Sequence, residues 1–226
     1  MNHENWAFKY APKTLKDCIL PESMCRYFDG IITDKEIDHL ILYGSPGTGK
    51  TTMARVFAKE LNRELFEKNA PYQGTFEDIK DIEIFASHVS FFHQGKMCLI
   101  DEADGLPPKS MDAFKALLEK FAGLCPFILT TNKIKKIPEP IRSRCLVLEM
   151  GGIGNDESDQ SLKEAISKRI HAISRNEGID NLDEILVRQI VDLGFPDIRT
   201  TIKIAYQVIK RGLPFEMAAG SLNLPR

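Results

Sequence analysis

The sequence predicts an α/β fold: a parallel sheet between helices over residues 1–150, followed by a small all-helical unit over residues 151–226. Three features point there. The octapeptide Gly44-Ser45-Pro46-Gly47-Thr48-Gly49-Lys50-Thr51 stands between a short apolar run and an amphipathic one. Further apolar runs ending in polar residues alternate with stretches of helical period, the pattern of a sheet whose strands run parallel. Past Gly151-Gly152-Ile153-Gly154-Asn155-Asp156-Glu157-Ser158-Asp159, which is composed like a linker, only helical patterns remain.

The octapeptide fits the P-loop pattern of Gly, four residues, Gly-Lys-Thr. Its glycines permit a tight turn that brings backbone N–H groups up to anionic oxygens, and the helix that follows points its positive end at the same place. Gly44 through Gly49 are therefore expected to cradle phosphates. Lys50 reaches the β- and γ-phosphates, the Thr51 hydroxyl ligates Mg²⁺, and Thr52, at the start of the helix, adds a nucleotide contact. Ile37–Tyr43 reads as the strand entering the loop and Thr52–Leu61 as the helix leaving it, the context the motif requires.

Ahead of that unit, Trp6-Ala7-Phe8-Lys9-Tyr10-Ala11-Pro12 and Ile19-Leu20-Pro21 read as an irregular arm. Either it packs Trp6 and Tyr10 into a surface groove, or it covers a purine base, which needs flat apolar walls that a P-loop does not supply. Glu22–Asp34 reads as a short helix, Glu64–Asn69 as a second strand and Asn69–Gly74 as a polar loop. Thr75 and Asp78 form a capping box with Asp in place of Glu. The helix they open carries Phe76, Ile79, Ile82, Phe85, Ala86 and Val89 at helical spacing.

Met97-Cys98-Leu99-Ile100-Asp101-Glu102 reads as a buried strand with two carboxylates at its C-terminal tip, where open α/β sheets bind ligands. Asp101 is placed to hold Mg²⁺, directly or through water, and Glu102 to accept a proton from an attacking water. A helix over Ser110–Phe121 leads to another buried strand, Pro126–Asn132. Asn132 either polarises the attacking water, senses the γ-phosphate or simply turns the chain. A turn-rich stretch, Pro138–Cys145, precedes the strand Leu146–Met150, and helices are expected over 161–176, 182–193, 196–211 and 214–222.

The composition is that of a globular protein, with no apolar run long enough to cross a bilayer and no charged-then-apolar opening in Met1–Asn5, so the cytoplasm is the expected compartment. Five scattered cysteines without a Cys-x-x-Cys pair support neither a zinc site nor a disulfide framework. A net charge of −2 excludes a globally basic nucleic-acid binder but leaves room for a local basic face.

A P-loop, an Asp-Glu strand, a polar strand tip and a trailing helical unit together resemble an AAA+ ATPase. Lys9-Tyr10-x-Pro12-Lys13, Asp101-Glu102-Ala103-Asp104 and Ser143-Arg144-Cys145 are similar to sliding-clamp loader ATPase subunits of the replication factor C type. Cys18-Ile19-Leu20-Pro21 and Phe195-Pro196-Asp197-Ile198-Arg199-x-Thr201-Ile202 look most like the loader subunit of T4-type bacteriophages, which would put the protein in the host cytoplasm. The resemblance implies an ATP hydrolase that uses Mg²⁺ and works with other loader subunits, a sliding clamp and primer–template DNA. It places Phe8, Lys9, Tyr10 and Ile19 near the adenine and ribose. It makes Arg199 the arginine that reaches from the helical lid to the γ-phosphate of its own subunit, and Arg144 the finger that enters the neighbour's site, beside a second arginine, Arg142. Thr75, Lys80 and Lys109 are candidate DNA contacts. Phe85, Phe91 and Phe92 belong either to a clamp contact or to the core. Ala11 stands where the family usually has arginine, and the collar domain that usually follows the lid is expected to be absent. The resemblance leaves two rivals: another AAA+ DNA motor, such as a branch-migration ATPase, and an assembly module that binds nucleotide without hydrolysing it.

Overall fold

The computed structural model describes residues 5–151 and 156–220. Its sheet is built from β1 (Leu40–Tyr43), β2 (Arg63–Asn69), β3 (Gly95–Asp101), β4 (Phe127–Thr131) and β5 (Leu146–Glu149), in the order β2-β3-β4-β1-β5. Every pairing is parallel. The helices between them are α1 (Trp6–Lys9), α2 (Glu22–Asp34), α3 (Lys50–Glu60), α4 (Ala70–Gln73), α5 (Phe76–Ser87), α6 (Pro108–Lys120) and α7 (Glu139–Arg142). Beyond the sheet lie α8 (Asp156–Asn176), α9 (Glu184–Gly194), α10 (Ile198–Ala205), a π turn (Tyr206–Lys210) and α11 (Phe215–Gly220).

Successive strand side chains point to opposite faces, so each apolar run feeds two cores. Leu40, Leu42, Met97, Leu99 and Ile128 pack with Phe28 of α2 and with Met53, Val56 and Phe57 of α3. Ile41, Cys98, Ile100, Phe127 and Leu129 pack on the other face with Ile79 and Ile82 of α5 and Phe114, Leu117 and Leu118 of α6. A third apolar cluster joins Ile166, Ile170 and Ile173 of α8 to α9 and α10, and its largest member is Trp6 from the N-terminal arm, fully buried.

The capping box of α5 forms as expected: the Thr75 hydroxyl accepts from the Asp78 N–H, and Asp78 accepts from the Thr75 N–H. Several expectations are corrected. The arm is not wholly irregular, because Asn5 caps a one-turn helix. The polar loop 69–74 holds α4, and the stretch 138–145 holds α7, each with a proline in its first turn. The strand entering the P-loop begins at Leu40 rather than Ile37. The last part of the supposed linker is helical, since α8 starts at Asp156; residues 152–155 lie outside the described residues. The helix expected over 196–211 is regular only to Ala205.

Candidate nucleotide site

From β1 the chain crosses to the outer strands β2 and β3, then returns to insert β4 between β3 and β1. That order sets three C-terminal tips side by side: the P-loop after β1, Thr130-Thr131-Asn132 at β4, and Asp101-Glu102 at β3. Such a crevice at the carboxyl ends of parallel strands is where ligands bind. Asp101 Oδ1 accepts hydrogen bonds from the Thr51 hydroxyl at 2.7 Å and the Thr130 hydroxyl at 2.5 Å. Thr130 Oγ1 in turn accepts from the Glu102 N–H at 3.1 Å. Thr130 therefore fixes both acids from a neighbouring strand. The sequence signal for it was the polar end of the Phe127–Asn132 run. Glu102 itself has φ 54°, a left-handed backbone that costs about 1–2 kcal/mol in a residue with a Cβ. Its exposed side chain stands at the mouth of the cleft with Asn132.

Lys50 is buried. Its ammonium donates to the carbonyls of Gly44 at 2.9 Å and Ser45 at 2.7 Å, so it lies folded within its own loop. Burial pushes its pKa down, Asp101 pulls it back up, and the charge of Arg199 pushes it down further. Two positive side chains thus converge on the P-loop, with hard oxygen donors opposite. That set fits a triphosphate with a Mg²⁺ ion: Thr51 and Asp101 would supply the protein oxygens, and no cluster of three metal-ligating side chains occurs among the described residues.

Gly44 and Gly47 show why the loop needs glycine. Gly44 has φ 141°, and a Cβ there would sit 2.1 Å from the Met150 carbonyl oxygen. At Gly47, with φ 72°, a Cβ would sit 1.8 Å from Asp197 Oδ1. Asp197 caps α10, accepting from the Thr200 N–H at 2.7 Å, and the Arg199 N–H donates to the Gly47 carbonyl at 3.4 Å. The trailing helices therefore touch the P-loop backbone directly and bring the exposed Arg199 to the cleft.

Beside the polar cleft, and sharing Gly47, Gly49 and Arg199 with it, lies an apolar pocket. Its walls come from the arm (Trp6, Ala7, Tyr10, Cys18, Ile19), the loop and first turns of α3 (Thr48, Thr52, Met53) and the trailing helices (Ile173, Ile198, Ile202). Tyr10 and Ile19, which the resemblance puts near the adenine and ribose, line this pocket together with Thr48 and Thr52. Phe8 and Lys9 do not line it. On the one-turn helix α1, residues 6, 7 and 10 share the face turned to the pocket, and 8 and 9 point away. Phe8 is 70% exposed. Lys9 instead donates to Glu177 Oε1 at 2.5 Å, and the Tyr10 hydroxyl donates to the same oxygen at 2.7 Å. With Lys210 at 3.1 Å from Oε2, these partners hold the Glu177 carboxyl down at about 2. The sequence also gave no warning of Arg169, whose Nη2 donates to the Tyr10 carbonyl at 2.9 Å, or of Asn69, the register partner of Asp101, whose buried Oδ1 has no hydrogen-bond partner.

Arg144 is elsewhere. It leads into β5, whose first residue, Leu146, pairs with Leu40 at the start of β1, whereas the P-loop follows the end of β1. The two lie at opposite ends of the sheet. Arg142, on α7, has a buried Nε without a hydrogen-bond partner. Of the remaining candidates, Phe85 is half-buried and stacked on Phe66 at 4.8 Å, so it is packing, while Phe91 and Phe92 are each 91% exposed. Lys80 lies 5.1 Å above the Phe76 ring, and Lys109 stands in the first turn of α6.

The model of the AAA family (ATPase family associated with various cellular activities) matches residues 40–150. The chain is 33% identical over 225 residues to the sliding-clamp-loader large subunit of Escherichia phage RB69, covering 96% of this chain and 67% of that protein. For the same subunit of Enterobacteria phage T4 the identity is 34%, with the same coverage of both chains. The chain belongs to the sliding-clamp-loader family of AAA ATPases. It is an ATP hydrolase, as that family is. The replication factor C small subunit of Archaeoglobus fulgidus is 31% identical over 186 residues, 79% of this chain and 56% of that one. Among solved structures, the Holliday junction branch migration motor RuvB of Thermotoga maritima superposes with TM-score 0.70 over 96% of this chain and 74% of its own, at 18% identity. That likeness establishes the fold alone. No helix among the described residues is long and apolar enough to cross a membrane.

Proposed function

We propose that this subunit binds MgATP between a core over residues 1–150 and a helical lid over residues 151–226, and uses it to open a sliding clamp and load it on primer–template DNA. The division into core and lid is supported by the third apolar cluster, which is separate from the two that line the sheet, with Trp6 as the strap from the arm. Lys50 and the P-loop amides hold the phosphates, and Arg199 reaches the terminal one from the lid. Thr51 and Asp101 would hold Mg²⁺, which would supply charge neutralisation on the phosphates. Glu102, at the cleft mouth, takes the proton of the attacking water, with Asn132 helping to orient that water.

The observation that carries the assembly is the position of Arg144. An arginine at the far end of the strands cannot serve the P-loop of its own chain, which supports a role for it in the site of a neighbouring subunit. Its permanent charge and planar fork suit phosphate oxygens. Subunits in a spiral would each supply a finger to the next, and hydrolysis would release the clamp once DNA is in place. The DNA backbone would run past the N-termini of α5 and α6, near Thr75, Lys80 and Lys109. The exposed Phe91 and Phe92 favour a clamp contact past the opposite, C-terminal end of α5, where Phe85 is packing.

The test is Arg144→Ala in the assembly with its partner subunits. ATP binding by the isolated chain should be unchanged, while turnover of the assembly with clamp and primed DNA falls by about 10³–10⁵-fold. Loss of affinity in the isolated chain would contradict the trans role. Equal stimulation by primed DNA with and without clamp would favour a different AAA DNA motor.

A further inference from the structure

We propose that Glu119 competes for the Arg144 finger, keeping the guanidinium stowed until the terminal phosphate of a neighbour's nucleotide displaces it. The inference rests on the trans role of Arg144 proposed above. Glu119 Oε1 accepts from Arg144 Nε at 2.8 Å and also from Nη2. Nη1 donates to the Pro140 carbonyl at 2.6 Å. The fork is therefore engaged along the two edges that a phosphate would need, by a carboxylate on one side and a carbonyl on the other.

Two facts decide between a holder that stays and one that lets go. A carboxylate kept beside a triphosphate would repel it and cancel the charge the finger brings, so a finger still bound to Glu119 is a poor finger. The pair is also open to water, with the side chains 32% and 54% exposed, so releasing it costs little. What moves is Arg144 rather than Glu119. Glu119 rides on the last turn of α6, and His39 pins that turn to the sheet. The Phe127 N–H donates to His39 Nδ1 at 3.0 Å, which leaves the proton on Nε2 to be donated to the Leu118 carbonyl at 2.9 Å. Once Glu119 lets go, the Arg144 guanidinium keeps its bonds to the Pro140 carbonyl and the Ser143 hydroxyl, both within its own turn, and no bond ties it to the sheet as His39 ties α6.

The experiment is steady-state ATP hydrolysis by the full assembly with clamp and primed DNA, comparing wild type, Glu119→Gln, Glu119→Ala, Arg144→Ala and the double variant Glu119→Gln/Arg144→Ala. Removing the competitor should raise kcat/KM by about two- to five-fold, the span of one exposed ion pair, with Ala at the upper end. ATP affinity of the isolated chain should not change. A fall in kcat/KM, as an orienting carboxylate would give, overturns the proposal, and so does no change. A gain that survives in the Arg144→Ala background also overturns it, because the gain then does not pass through the finger. If Arg144→Ala alone leaves turnover intact, the trans role itself fails, a result visible without any Glu119 variant.

Discussion

Apart from Arg199, the phosphate half of the cleft is made by residues 44–51, 101–102 and 130–132, all at the tips of parallel strands or in the turns that follow them. The neighbouring apolar half is assembled from the N-terminal arm, the start of α3 and helices past residue 156. The first half depends on the sheet, whose central strands β1, β3 and β4 are buried on both faces and whose tips are tied by Thr51 and Thr130 to one carboxylate. The second depends on Trp6 and Glu177, which fasten the arm to the helical unit, and on Gly47 and Asp197, which bring that unit to the P-loop. The difference teaches that, under the proposed function, chemistry and affinity rest on different parts of the fold. The groups that would move protons sit on strand tips of the sheet, and those that would recognise a base sit where the arm, the P-loop and the trailing helices meet.

Glu102→Gln tests the separation most sharply. It removes the proton acceptor and keeps the phosphate cradle, so turnover should drop by about 10²–10⁴-fold with nucleotide affinity retained. Rapid-quench hydrolysis beside equilibrium ATP binding measures both; lost binding would mean that the halves are not independent. Trp6→Ala should act on the other half. Emptying a fully buried indole costs about 3–5 kcal/mol, seen as a lower melting temperature of the helical unit and weaker ATP binding. Should the variant melt like wild type, the arm is not the strap described.

Gly47→Ala strikes where the halves meet. A Cβ at φ 72° pressed on Asp197 should cost about 1–3 kcal/mol and weaken ATP binding, read by titration calorimetry. The smallest effect expected is that of Glu177. Its carboxyl is held at about 2, below the ordinary value of 4.5, by Lys9, Tyr10 and Lys210. A depressed folded pKa contributes stability that is fully present above about pH 4.5 and is lost as pH falls toward 2. The stability gap between wild type and Glu177→Gln should therefore be widest above that range and close through it. Trp6, the single tryptophan, reports on the arm by its fluorescence. A gap independent of pH would place the stabilisation elsewhere.

Much of the phosphate half was legible in the sequence, and much of the base half was not. The P-loop, the Asp101-Glu102 tip and the Thr75–Asp78 capping box each lie within a few consecutive residues, so spacing reports them. Phe76 and Val89 share the helical period of Ile79 and Ile82 yet are 54% and 79% exposed. Period marks a face, but it does not fix how far that face is covered or where the helix stops: α5 ends at Ser87, before Val89. One turn of helix in the arm turns Phe8 and Lys9 away from the pocket that Tyr10 lines, which spacing alone does not show.

By itself the sequence determined the loop that cradles phosphate, the acids that face it and the alternation that makes a parallel sheet, because these follow from backbone freedom at glycine and from side-chain period along contiguous residues. Only the tertiary structure decided that β4 lies between β1 and β3, which gives Asp101 and Glu102 a shared anchor in Thr130. Only it joined Trp6 to helices more than 150 positions away and set Arg144 at the opposite end of the sheet from Lys50. Those outcomes depend on where crossovers return the chain and on which buried surfaces find each other, and no local pattern of residues encodes either.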